Sequence, residues 1–225
     1  MNNSSPKSTV INKEQQEKKK MASKPNETSG LRVEGHIKIW DPSSGEIIVN
    51  KRNAIHYENF SQALALSVGN QQQGWITEMS FGNGGTNVDP TGIITYLPTN
   101  TSGSNASLYN QTYYKVVDSN SIYNVDATRN YIEVRHVPGT VYTDVLVSCL
   151  LDYGEPSGQT AFDNSTSMAD NFVFDELGLK SYSPNGVNTG NLLTHVIFHP
   201  VQKSLNRLIQ IDYTVRIQTL TTLTS

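Results

Sequence analysis

Asn53-Ala54-Ile55-His56-Tyr57-Glu58-Asn59-Phe60-Ser61-Gln62-Ala63-Leu64-Ala65-Leu66-Ser67-Val68-Gly69-Asn70, followed by Gly74-Trp75-Ile76-Thr77-Glu78-Met79-Ser80-Phe81-Gly82-Asn83-Gly84-Gly85-Thr86, carries a helix, a strand and a glycine turn in succession. Phe60, Ala63, Leu64, Ser67 and Val68 recur at i, i+3, i+4, i+7 and i+8, one stripe of a 3.6-residue period. Asn53 upstream is a candidate cap, and Gly69-Asn70 ends the pattern with residues that accept a left-handed backbone. Trp75 to Phe81 reads as a strand, and Gly82-Asn83-Gly84-Gly85 as a turn with almost no side chain to pack. A helix with one narrow apolar stripe has to lie on something, and the surrounding sequence offers only strands.

Outward from that stretch the pattern is β throughout. Val33, Gly35, Ile37 and Ile39 alternate with Glu34, His36, Lys38 and Trp40, a half-buried strand. Asp41-Pro42-Ser43-Ser44-Gly45-Glu46 is turn chemistry, and Ile47-Ile48-Val49 returns. Residues 82–112 are polar and long enough for a functional or interfacial loop, and Tyr109, Tyr113 and Tyr114 with Asn110 and Gln111 suggest a contact surface rather than core. Ile132 and Val134 alternate with Glu133 and Arg135. The run from Val141 to Leu151 becomes continuously apolar, as in a strand covered on both faces. Phe172 to Leu179 is a further strand, and Leu192 to Phe198 another, ended by Pro200. Ile209, Ile211, Tyr213, Val215 and Ile217 then alternate strictly with Gln210, Asp212, Thr214, Arg216 and Gln218. No crossover helix separates any pair, so an antiparallel β-sandwich with one packed helix is expected.

The 225 residues suffice for one large β domain. Net charge is -3, unevenly spread: residues 1–33 hold seven basic and three acidic side chains, +4, which leaves -7 for the rest. This opening segment is too poor in apolar residues to fold alone and reads as a flexible basic arm, 1–33, before a single body, 34–225. Lys18, Lys19, Lys20 and Lys24 are its candidate assembly contacts. With no aromatics or motif beside them, they do not suggest nucleic-acid binding. Met21, followed by Ala-Ser-Lys, could be an alternative start. No apolar leader follows the first residues, and no run is long enough to span a membrane, so neither a secretory signal nor a membrane partner is expected. The Asn-x-Ser/Thr triplets at Asn26, Asn59, Asn105 and Asn110 follow from composition. Cys149, the only cysteine, lies in an apolar run and reads as core.

Gly82, Gly84 and Gly85 follow a strand, but Thr86 is preceded by no Lys and followed by Asn87-Val88-Asp89-Pro90 rather than a helix. A structural turn is therefore favoured over a phosphate loop. His195 and His199, with His36 or His136 as third ligand, would stand about 13 Å apart on one face of a strand, too far for one zinc. They read as surface or packing residues. Asp163, Asp170, Asp175 and Glu176 match no calcium loop, and no Gly-x-Ser-x-Gly elbow is present. No metal, cofactor or small-molecule substrate is expected, nor an enzymatic activity.

The stretch Trp75 to Thr86 resembles a pattern in structural proteins of tailed bacteriophages. There an Ala/Leu-rich helix leads to I-x-x-(M/I)-x-(F/L)-G-x-G-(G/T)-T, a F-x-E-(I/L)-G-L strand comes later, and an amphipathic strand closes the chain. Phe174-Asp175-Glu176-Leu177-Gly178-Leu179 and residues 192–217 follow that order, and Asp41-Pro42-Ser43-Ser44-Gly45-Glu46 is similar to their opening turn. The resemblance implies a β-sandwich-like component of the neck, tail or head surface, located in the virion and assembled in the host cytoplasm. Its implied partners are other virion proteins and copies of itself, and it names no catalytic residue. The alternative is a receptor- or glycan-binding β-sandwich displayed on a particle, with Trp40, Tyr109, Tyr113 and Tyr142 as candidate groove aromatics.

Overall fold

The computed structural model describes residues 27–103, 106–156 and 171–223. Two compact units divide the chain, residues 1–32 with 219–225, and residues 33–218. Lys18, Lys19, Lys20, Lys24, Met21 and Asn26 lie outside the described residues, as do Asn105, Asp163 and Asp170. The core and the site belong to the second unit.

Strands β1 (Glu27–Trp40) and β2 (Ile47–Ile55) lead into helix α1 (Tyr57–Val68). Next come β3 (Ile76–Gly82), β4 (Thr86–Val88), β5 (Ile94–Tyr96), β6 (Gln111–Val116), β7 (Tyr131–His136), β8 (Tyr142–Leu151), β9 (Asn171–Ser181), β10 (Thr194–Ser204) and β11 (Ile209–Leu223). Nine strands form one sheet in the order β6-β3-β9-β10-β2-β1-β11-β8-β7, and β4 pairs with β5 as a separate hairpin. The pairings β1–β2, β2–β10, β10–β9, β9–β3, β3–β6, β11–β8 and β8–β7 are all antiparallel. Only Thr194↔Ile55 and His195↔Ala54 join β10 to β2. The sheet curls at that seam, so its halves enclose one core. Ile37, Ile39, Val147, Ile211 and Tyr213 from one side share it with Met79, Phe81, Phe174, Leu177 and Phe198 from the other. The fold is thus mainly β, an antiparallel sandwich with one helix.

Alternation decides which residues reach that core. In β11, Ile209, Ile211, Tyr213 and Val215 are all 0% exposed, whereas Gln210, Asp212, Thr214 and Arg216 are half-buried, as period two requires. In β8 every residue from Leu146 to Leu151 is buried. Cys149 is a free thiol there at 0% exposure, and burial pushes it up to about 12.

Four readings are corrected. Strand β2 runs on through Asn53, so Asn53 caps nothing; His56 caps α1, its Nδ1 accepting from the Asn59 amide at 3.3 Å. The buried stripe of α1 is shorter than its sequence period. Phe60 and Ala63 are buried and Leu64 half-buried, but Ser67 is exposed and Val68 is 90% exposed. The helix does end as expected, with Asn70 at φ +56°. Residues 82–112 are no continuous loop, since β4, β5 and the start of β6 lie within them. Finally, Pro200 does not end β10: the register shifts between Ile197 and Val201, and the proline sits in that irregularity, where no ladder amide is needed.

Candidate functional site

The glycine turn that follows β3 meets two consecutive carboxylates of β9. Gly82 pairs with Glu176 in the β3–β9 register, which places the turn over Asp175 and Glu176. Both acids are buried in the middle of an apolar strand, at 3% and 0% exposure, so each needs full hydrogen bonding to remain there. Asp175 obtains it from the turn. Its Oδ1 accepts from the Gly85 amide at 2.9 Å and its Oδ2 from the Thr86 amide at 2.9 Å, with the Thr86 hydroxyl as a further donor. Glu176 gathers a wider set. Its Oε1 accepts from the amides of Asn110 (2.8 Å) and Gly84 (3.2 Å), and its Oε2 from the Tyr109 amide (2.9 Å) and His195 Nε2 (3.0 Å).

His195, on β10, is itself 0% exposed, and its Nδ1 accepts from the Asn100 amide at 2.9 Å. That bond fixes the tautomer: Nδ1 carries the lone pair and Nε2–H donates to Glu176. Burial pushes the Glu176 carboxyl up, but the bonds from His195, Asn110 and Tyr109 outweigh it and hold the group below its ordinary value. Burial wins at Asp175, helped by the neighbouring Glu176 charge, and its carboxyl lies above the ordinary value despite Thr86 and Gly85.

The glycines are required by closeness. A Cβ on Gly82 would lie 2.5 Å from both Glu176 Oε1 and the Asn110 carbonyl oxygen. On Gly84 it would meet the Asn110 amide nitrogen at 2.7 Å, and on Gly85 the Ile197 Cγ2 at 2.9 Å. Backbone amides of a glycine turn make an anion cradle, and here the anions are the chain's own carboxylates. Comparison with protein-family models, with curated proteins and with solved structures finds no match.

Every polar position of the Glu176–His195 pair is therefore committed to the chain itself, and what the arrangement does chemically is fasten loops. Residues 97–103 and 106–110, which have no regular structure, are tied at Asn100, Tyr109 and Asn110, and the Leu97 amide bonds the Gly85 carbonyl at 2.9 Å. The same device recurs. Glu78, 4% exposed, accepts the Asn188 amide on both oxygens at 2.7 and 2.9 Å, and Lys180 Nζ donates to the Asn188 carbonyl at 3.2 Å. Lys203, 0% exposed, donates to the carbonyls of Asp152, Glu155 and Ser204 at 3.0, 2.9 and 2.7 Å, and burial holds its ammonium down at about 8.

The residues singled out from sequence are dispersed by the fold. Gly82, Gly84 and Gly85 form the structural turn just described. Tyr109 is 42% exposed, with its hydroxyl donating to the Pro98 carbonyl at 2.7 Å and its ring 5.8 Å from that of His195. Tyr114 is half-buried on β6. Tyr113 is a correction: at 5% exposure it belongs to the core, tilted against Phe81 with ring centroids 5.7 Å apart, because β6 begins at Gln111 and turns it inward. His195 and His199 do not share a face, since the irregularity after Ile197 leaves His199 exposed. Sequence reading missed the Glu176–His195 pair, although a signal was present. An Asp-Glu pair inside Phe172 to Leu179 demands buried partners, and the glycine turn and His195 were the unassigned donors.

Proposed function

We propose that the protein is a structural component of a tailed-phage virion, present in multiple copies at the neck, tail or head surface, and that it works by assembly rather than catalysis. One observation carries the reading. Buried charge is spent on fastening irregular loops, and beside Tyr109 of the fastened segment stands Tyr96 of β5, 53% exposed. A loop ordered in advance loses little entropy on docking, which is what a contact surface repeated many times in a particle requires. The basic segment at residues 1–33 complements the acidic remainder of a neighbouring copy and would steer docking more than hold it. Interfaces of this obligate kind bury on the order of 2,000 Å² or more.

Deleting residues 1–30 tests the proposal. A truncated chain that keeps its β circular-dichroism spectrum but no longer enters particles is the expected result. Unchanged incorporation would overturn the role of the arm. A purified full-length chain that stays monomeric at assembly concentrations, and is absent from purified particles, would overturn the structural reading as a whole.

A further inference from the structure

The four aromatics expected to line a saccharide groove do not meet. Trp40 donates its Nε1 to Asp212 Oδ2 at 2.9 Å, Tyr142 lies under the Arg216 guanidinium at 4.0 Å, Tyr113 is in the core, and Tyr109 belongs to the fastened loop. Three others do meet. Trp75, Tyr123 and Tyr182 line a single open cavity of about 390 Å³, together with Gln72, Asp118 and Asn120. Trp75 is 43% and Tyr123 61% exposed, large aromatic surfaces left facing water.

The cavity has three properties of a binding site. Its volume lies in the range of small-ligand pockets, about 300 to 1,000 Å³. Its walls are formed in advance. The Tyr182 amide bonds the Trp75 carbonyl at 2.8 Å, and Glu78 and Lys180 fix Asn188 beyond it. On the other side, the Val117 and Asp118 amides bond the Thr77 carbonyl at 2.9 and 3.2 Å, and Asn124 Nδ2 bonds the Asp118 carbonyl at 3.1 Å. Several of its polar groups are also uncommitted. Among the described residues, Trp75 Nε1, the Gln72 amide and the hydroxyls of Tyr123 and Tyr182 make no hydrogen bond within the chain. Asp118 uses only its Oδ1, to Asn120.

The lining selects the ligand. It contains no Lys, Arg or His, and its acids are Asp118 and Glu78, the latter already occupied by Asn188, so phosphates and acidic sugars are disfavoured. Flat aromatic faces beside planar carboxylate and carboxamide groups suit a ring with apolar C–H faces and a rim of hydroxyls. We propose that this groove binds a neutral oligosaccharide, with Trp75 and Tyr123 as stacking platforms and Gln72, Asp118 and Asn120 as hydroxyl partners. Such binding does not depend on how the protein assembles, so a failed titration and a failed incorporation assay are separate results.

Trp40 and Trp75 are the only tryptophans, so the full-length Trp40→Phe variant reports from Trp75 alone. Its fluorescence is titrated with maltohexaose, xylohexaose and chitohexaose to about 10 mM, above the Kd of weak saccharide sites. A saturable change with at least one of them is expected, and Tyr123→Ala, at an exposed position, should weaken it about tenfold. Trp75→Ala, assayed by calorimetry after its circular dichroism has been matched to the parent, should abolish binding. No saturable response from any of the three sugars overturns the proposal. So does binding that both substitutions leave unchanged, or a response only to an apolar dye.

Discussion

At Glu176 and Asp175, adjacent carboxylates of one strand carry opposite signs of pH dependence. Glu176 is held below its ordinary value of 4.5, so its contribution is complete above that pH and is lost as pH falls through its lower folded value. Asp175 is held above 3.8; its charged form costs stability at neutral pH, and that cost is relieved as pH falls through its raised value. Urea unfolding measured from about pH 6 to about pH 3 should therefore show the acid loss shrunken in Glu176→Gln and deepened in Asp175→Asn. Glu176→Ala, which leaves His195 Nε2–H and three amides without their acceptor, should cost at least about 3 kcal/mol at neutral pH. A different residue-scale constraint sits at Gly35, which pairs with Asn53 across β1 and β2. Asn53 Nδ2 reaches over Gly35 to donate to the Tyr213 hydroxyl, and a Cβ on Gly35 would fall 1.5 Å from Asn53 Oδ1. Gly35→Ala should lower stability by about 1 to 3 kcal/mol. Adding Asn53→Ala should recover part of that loss in a double-mutant cycle by thermal unfolding.

Among the elements, several of the described connections are tied to buried side chains of the strands. Asn188 has φ +64° and Gly186 φ +113°, left-handed conformations that Asn and Gly accept, but the turn between β9 and β10 still has to be held against β3. Glu78 supplies the retention. Glu78→Ala should leave the β3–β9 ladder in place but expose the Asn188 amide, whose hydrogen exchange should accelerate by at least about tenfold while core amides of β11 change little. The strands themselves were legible in sequence wherever one face is buried: β11 shows its alternation without a break, and β1 shows it through Ile37 and Ile39. What was illegible follows from the same physics. The three-residue strands β4 and β5 are too short to display a period, and Gln111 and Thr112 at the start of β6 look like loop. A proline at position 200 ends a strand by rule but is accommodated by an irregularity that no sequence pattern announces. The site was half visible. The glycines and the acids each stood out, but their pairing depends on the β3–β9 register, which is a property of the folded sheet.

For the molecule as a whole, the decisive join is the seam between β2 and β10, where only two residue pairs connect the halves of the sheet. One of those pairs contains His195, so the residue that anchors the loop at 97–110 through Glu176 and Asn100 also stands at the fold's closure. A substitution at His195 therefore bears on the loop and on the seam together. A reporter for such opening is already built in. Cys149 is the only cysteine of the sequence, sealed at 0% exposure, and burial pushes its thiol up to about 12. A maleimide added to the native protein finds no thiolate to attack, so the rate at which Cys149 is labelled is a stopwatch for the moments when the two layers part. A second cysteine placed at the water-facing Val68 position could then be addressed without interference.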